Sequence, residues 1–185
     1  MRGSEPSWVG DVLHFWFDEL GRKTWFVKDA VLDAQIRARF LPLIDEIAAL
    51  AADEALTSAD RSLASVVVLD QFPRNVFRGE ARAFANDAQA LAVAKQAVAR
   101  GLDQELPVER RVFLYLPFEH SEALADQERC IALMASLGDE EYTRYAHAHH
   151  DVIKRFGRFP HRNAVLGRTP TLEELTFLQQ PGSSF

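Results

Sequence analysis

The sequence predicts an all-α fold, a single domain of stacked antiparallel helices. Three observations carry that expectation. Apolar residues recur at helical spacing along most of the chain, helix start and stop residues punctuate it, and only the run Ala64 to Leu69 has the β-branched density of a strand. With no second strand to pair with, Val66-Val67-Val68 is read as part of a helix from about Ser58 to Gln71, buried on most sides.

The elements follow in order. Trp8, Val12, Phe15, Trp16 and Leu20 share a face from Ser7 to Leu20, and Gly21 stands where a left-handed helix end favours glycine. Asp29 suits the cap of a second helix through Ile36, Phe40, Ile44 and Ile47, which Pro42 should kink or divide. Asn86 or Asp87 opens a helix ending at Gly101, Pro107 suits a first helical position, and Ser121 starts a helix to Gly138 with Glu122 in its first turn. After Asp139, the residues Tyr142, Tyr145, His149, Val152, Ile153 and Phe156 form one stripe that stops at Gly157. Thr171 and Glu174 have capping-box spacing, so a short helix should reach Leu178, with residues 180–185 frayed.

Composition bounds the function. The chain has 185 residues, 48% hydrophobic and 26% charged, with a net charge of −6, which argues against a nucleic-acid or anionic-membrane partner because such partners are met with a net basic face. One cysteine, Cys130, allows no intramolecular disulfide and points to a reducing compartment. The segment Met1 to Gly10 lacks the basic start and apolar stretch of a signal peptide, and no apolar run approaches the ~20 residues that span a bilayer, so a cytoplasmic location is expected.

Two segments resemble each other: Gln71-Phe-Pro-Arg-Asn-Val-Phe-Arg-Gly79 and Arg158-Phe-Pro-His-Arg-Asn-Ala-Val-Leu-Gly-Arg168. Each follows a long helix, where proline is expected to stop it, phenylalanine to anchor in the core, and an Arg-Asn pair to project into a loop. Asp70, Arg74, Asn75, Arg78, Arg158, Arg162 and Asn163 are the ligand-binding candidates, because a guanidinium grips carboxylate or phosphate through two parallel bonds and an amide both donates and accepts. The same residues also suit structure, with arginines on helix-end carbonyls or buried acids and asparagines in turns. A buried Asp70 needs a cationic partner, and the arginines supply one.

Glu119, His120 and Glu122 offer acid, base or ligand groups, and His149, on the apolar stripe two turns before the second segment, could face the same cavity as Arg158 and Arg162. His120, Glu122 and His149 are therefore the catalytic candidates. His147, His149 and His150 do not share one face, so no metal site is assigned, while His147 and Asp151 could pair four residues apart. No cofactor is implied, since phosphate-binding glycine loops, the Gly-x-Ser-x-Gly elbow and Cys-x-x-Cys pairs are absent. Trp8, Phe15, Trp16, Phe17, Trp25 and Phe26 are assigned to packing.

Leu69-Asp-Gln-Phe-Pro-Arg-Asn75, Tyr115-Leu-Pro-Phe-Glu-His-Ser-Glu122, Phe156-Gly-Arg-Phe-Pro-His-Arg-Asn163 and Leu166-Gly-Arg168, followed by Thr171 and Glu174, resemble the signature blocks of a bacterial family of unknown function. The likeness runs from Trp16 onward. It implies an all-helical, tetratricopeptide-like αα superhelix, although no strict 34-residue repeat is present. The family pattern carries over to Asp70, Gln71, Arg74, Asn75, Arg78, Asp87, His120, Ser121, Glu122, Gln127, His149, Arg158, Arg162, Asn163 and Arg168. It supplies no reaction. The leading expectation is a pocket for a small phosphate- or carboxylate-bearing molecule. The alternatives are a hydrolase or isomerase that needs no metal, using His120, Glu122 or His149, and a helical-repeat scaffold for a peptide or protein partner.

Overall fold

The computed structural model describes residues 5–183, which hold helices and turns but no strand. In chain order the helices are α1 (Ser7–Leu13), α2 (Arg22–Trp25), α3 (Ala30–Ala48), α4 (Ala59–Val66), α5 (Phe72–Val76), α6 (Asp87–Ala99), α7 (Val108–Glu119), α8 (Leu124–Ala135), α9 (Glu140–Phe156) and α10 (Leu172–Leu178). Two π-helical segments, His14–Glu19 and Val67–Gln71, extend α1 and α4, and short 3-10 turns lie at Ala52–Leu56, Ala81–Phe84, Leu102–Glu105 and Pro160–Arg162. No helix among the described residues is long and apolar enough to cross a membrane.

The run from α4 to α5 is the centre of the fold. Leu63, Ala64, Val66, Val67, Val68, Leu69 and Phe72 are buried to 1% exposure or less, with α1, α6 and α7 packed on α4 and α3 lying against α5. The valine run is thus a core helix, as its lack of a strand partner required. α8 pairs with α9 and with α7 through short connections, and α10 sits against the Pro160–Arg162 turn. Among the N-terminal aromatics the rings of Trp16, Phe17 and Trp25 meet Phe113 edge-on, with centroids 5.6, 5.3 and 4.7 Å away, whereas Phe26, expected to pack, stacks on Phe113 from outside and stays exposed.

Several boundaries differ from expectation, each for a physical reason. Pro42 does not divide α3, and α7 likewise runs on through Pro117. A helical proline costs about 3 kcal/mol, whereas burying each large apolar side chain returns roughly 1.5–3 kcal/mol. Ile36, Phe40, Ile44 and Ile47 flank the first proline, and Phe113, Leu114, Tyr115, Leu116 and Phe118 surround the second, all buried. The central helix does not stop at Pro73 either. Its π segment closes with the Phe72 N–H donating to the Val67 carbonyl, and Pro73 then opens α5, where a missing N–H costs nothing.

Gly21 is extended, with φ −148°, and caps α2 at its N-terminus, because the π segment ends with the Leu20 N–H on the Phe15 carbonyl. Pro107 is the N-cap of α7, one residue before the expected position. Ser121 does not begin α8; the N-cap is Ala123, so Glu122 precedes the helix and the Ser121 hydroxyl donates to Asp126. Asp151 pairs with His150, not His147.

Other expectations hold. The Asp29 carboxylate accepts from Val31 and Leu32 N–H, Asp139 opens α9, and Gly157 ends it at φ 69°. Thr171 and Glu174 form the capping box of α10. The expected fraying of residues 180–185 does not extend to Ser183, which is buried with its hydroxyl donating to the Leu178 carbonyl, while Ser184 and Phe185 lie outside the described residues.

Candidate functional site

Asp70 sits in the π segment of the central helix with no exposed surface. A buried carboxylate is tolerated only when its charge and lone pairs are met. Its Oδ2 accepts from Gln71 Nε2 at 2.6 Å, and its Oδ1 lies 2.8 Å from His120 Nδ1 and 3.1 Å from the Arg74 guanidinium. Burial alone would push its pKa up, but the charge of Arg74 and the hydrogen bonds from His120 and Gln71 hold it well below the usual carboxylate range.

This pairing fixes the chemistry of His120, the residue that caps the C-terminus of α7. An ionised carboxylate only accepts, so Nδ1 carries the proton and Nε2 of the neutral ring is a lone pair. Desolvation, then the charge of Arg74, lower the His120 pKa, which favours the neutral ring. His120 still keeps 15% of its side-chain surface in solvent.

The arginines of the two similar segments converge. Arg74 NH1 and NH2 donate to the two oxygens of Asp87 at 2.8 and 3.0 Å, and Arg162 NH1 donates to Asp87 Oδ2 at 3.3 Å. Asp87 stands in the first turn of α6, where a carboxylate is favoured. Arg162 is buried to 6% exposure, its Nε has no hydrogen-bond partner, and its Cζ lies 4.6 Å from the ring centroids of both Phe84 and Phe159. Burial, then the neighbouring charge of Arg74, lower its pKa to about 10, so it remains a cation.

Behind His120 is a second acid–base pair. His149 Nδ1 lies 2.8 Å from the Tyr145 carbonyl and 3.5 Å from Glu119 Oε1, and its ring centroid is 6.5 Å from that of His120. Burial lowers the His149 pKa to about 3 and raises that of Glu119 to about 8, the latter with help from the Asp70 charge. Glu119 is therefore a protonated acid at neutral pH. His161, beside Arg162, is lowered to about 4 by burial and by that cation. Cys130 is buried with its sulfur 3.9 Å from Glu119 Oε2, and burial pushes the thiol up, leaving it inert.

The remaining sequence candidates lie in separate networks. Asn75 and Arg78 both bind Asp33 of α3, at 2.8 to 2.9 Å. Arg158 makes two bonds to Glu174, at 2.6 and 2.8 Å, which lower that carboxyl to about 2, and Asn163 is buried on the same side. Glu122 is consumed by Arg168, at 2.7 and 3.1 Å, and by the Phe159 N–H at 2.8 Å, so it serves to hold the second segment in place. His149 is near Arg162 but does not share a site with Arg158.

The signal for His161 was its place inside the second segment, and Glu119 is set apart only by its burial. No set of three or more His, Cys, Asp or Glu side chains among the described residues is arranged to share one cation.

Comparison with known proteins shows the family and the fold. A solved structure described as a protein of unknown function from Agrobacterium tumefaciens is 42% identical, covers 94% of this chain and 97% of its own, and superposes with a TM-score of 0.88. No curated protein matches the chain. The family model that matches residues 12–182 is described as bacterial protein of unknown function, DUF924, and over that extent the chain belongs to this family.

Proposed function

We propose that the protein binds a small anionic molecule beside Asp87, where Arg74 and Arg162 converge, and that His120 accepts or supplies a proton there. The observation that carries this reading is Arg162: a buried guanidinium with one 3.3 Å acid contact and an unpartnered Nε, linked through Asp87, Arg74 and Asp70 to His120. Most buried polar groups are satisfied, so an underused buried cation is evidence of an external partner. Arg74 is matched by two acids and Arg158 by Glu174, so the ligand falls chiefly to Arg162.

The paired histidine also supports an acid–base reaction on the bound molecule. His120, oriented by Asp70 and carrying a second proton once the anion is bound, is the acid of such a reaction.

A library of phosphorylated and carboxylated metabolites screened by thermal shift tests the reading, with each hit also followed for turnover. Hits should stabilise the wild type, vanish in Arg162→Gln of intact helical spectrum, and persist in Asn75→Ala, whose residue belongs to the Asp33 network. Hits that respond equally in all three proteins, or an absence of hits, would contradict it.

A further inference from the structure

Asp87 belongs to neither of the two similar segments, yet both send an arginine to it. Arg74 reaches it from α5 with a fork, at 2.8 and 3.0 Å, and Arg162 reaches it from the 160–162 turn at 3.3 Å. Three guanidinium N–H groups thus converge on one carboxylate. That is the donor arrangement of an oxyanion site, and the Asp87 carboxylate already fills the position an external oxyanion would take.

It fills that position imperfectly. Both Asp87 oxygens are committed to Arg74, and a short side chain ties them to the first residue of α6, so neither can close on Arg162 without opening the fork. The Arg162 contact stays longer than the ~2.7–2.9 Å usual for a charged pair. Its Nε is left without a hydrogen-bond partner, although the residue is only 6% exposed. An oxyanion that is not tied to the backbone meets both arginines at full contact.

Asp87 is also able to leave. Its side chain keeps 21% of its surface exposed, against 0% for Asp70, so its charge can turn into water by side-chain rotation while the backbone of α6 stays in place. Arg74 keeps an anchor when this happens, because Asp70 remains 3.1 Å from its guanidinium. The N-cap of α6, Asn86, makes no side-chain cap bond, so the first-turn N–H groups of this 13-residue helix add positive charge at the same point. The released carboxylate stays at the rim, so a bound anion adds to the negative charge that His120 faces from Asp70 and Asp87.

Resting on the anion-binding reading above, we infer that Asp87 is the site's built-in competitor: an oxyanion, carboxylate or phosphate, binds by taking Arg74 and Arg162 from it as its side chain turns out to solvent. Asp87 therefore sets the affinity threshold of the site and keeps the two arginines neutralised while no ligand is bound.

Inorganic phosphate and propionate, one probe for each source of oxyanion, are titrated into the wild type and Asp87→Asn at neutral pH and matched ionic strength. Dissociation constants are read from amide NMR shifts, and the side-chain carboxyl carbons of Asp70 and Asp87 are followed in the wild type. At least one probe should bind Asp87→Asn more than about fivefold tighter than wild type, the most that loss of one exposed charge brings by itself. Binding seen only in Asp87→Asn counts as such a gain, and the tighter probe names the source. In the wild type saturated with a probe, the Asp87 carboxyl signal should shift more than that of Asp70. A gain below fivefold, or an Asp87 signal that shifts no more than that of Asp70 while a probe binds, would overturn the competitor inference and leave anion binding intact. Binding to neither protein would overturn both. The carboxyl signals are read in the wild type, so poor folding of Asp87→Asn does not blunt the test.

Discussion

Replacing Asp70 with alanine is expected to lower the unfolding free energy by about 3–5 kcal/mol, the usual cost of removing one partner from a buried ionic network. The loss is large because the carboxylate has no exposed surface and faces Arg74, His120 and Gln71 at once. Without it, Arg74 retains Asp87, but the Gln71 amide and His120 Nδ1 lose their acceptor in a buried place. Urea denaturation at neutral pH measures the effect. A loss below about 1 kcal/mol, the range of an exposed pair, would mean that the pocket opens to water around Asp70. A large loss assigns Asp70 to anchoring and orienting its neighbours, with ligand contact left to Arg162 and His120.

The second large effect concerns pH. Glu119 is raised to about 8 in the fold against an ordinary 4.5, so between those values the native state holds a proton that the unfolded chain has released. Stability then falls as pH rises through that window, by about 1.4 kcal/mol per unit for one group. His149 and His161 act in the opposite sense. Their folded values of about 3 and 4 lie below the ordinary 6.5, so protonation of the unfolded chain favours unfolding below about 6.5 and ceases to matter above it. His120, lowered as well, adds to that acid-side trend.

The two trends oppose each other below about 6.5, where the histidines outnumber the glutamate, and only the glutamate acts from there to about 8. Wild-type stability should therefore rise to a maximum near pH 6.5 and decline toward pH 8. In Glu119→Gln the decline should disappear, leaving the variant more stable than wild type at pH 8 by an amount on the order of 2 kcal/mol or more. Guanidinium denaturation at half-unit pH steps checks this. An unchanged decline in the variant would show that Glu119 is ionised in the fold.

Much of the scaffold is legible in the sequence because its signals are local. Asp29, Asp139 and Thr171 cap helices through bonds that span two or three residues, and Gly157 ends α9 through its own backbone freedom. The π segments are not legible. Their i→i−5 bonds follow from how Phe15, Trp16 and Asp70 are seated in the core, and no residue type marks such a turn. Pro42 misled for the same reason, since its local penalty is outweighed by burial on both sides, and Pro73 misled because it falls in the first turn of a new helix, where its missing N–H costs nothing.

The site divides along the same line. Arg74 and Arg162 are visible as a repeated pattern, and a partner for Asp70 is demanded by charge. Their meeting at Asp87, 13 residues from one and 75 from the other, is a long-range contact that one sequence does not encode legibly. Arg158 was grouped with them by position, yet its partner Glu174 was already visible as half of a capping box. Glu122 seemed chemical by its neighbours and proves to be a strut between the α7–α8 connection and the second segment.

The central claim is that Arg162 and His120 serve one bound anion. Its most direct measurement is the long-range nitrogen–proton NMR correlation of the His120 ring at neutral pH, before and after saturation with an anion found by the screen. The account predicts a ring protonated at Nδ1 alone that becomes protonated at both nitrogens on binding, in the wild type and not in Arg162→Gln. A ring whose signals stay the same with every anion tried, or change equally in the variant, would contradict it.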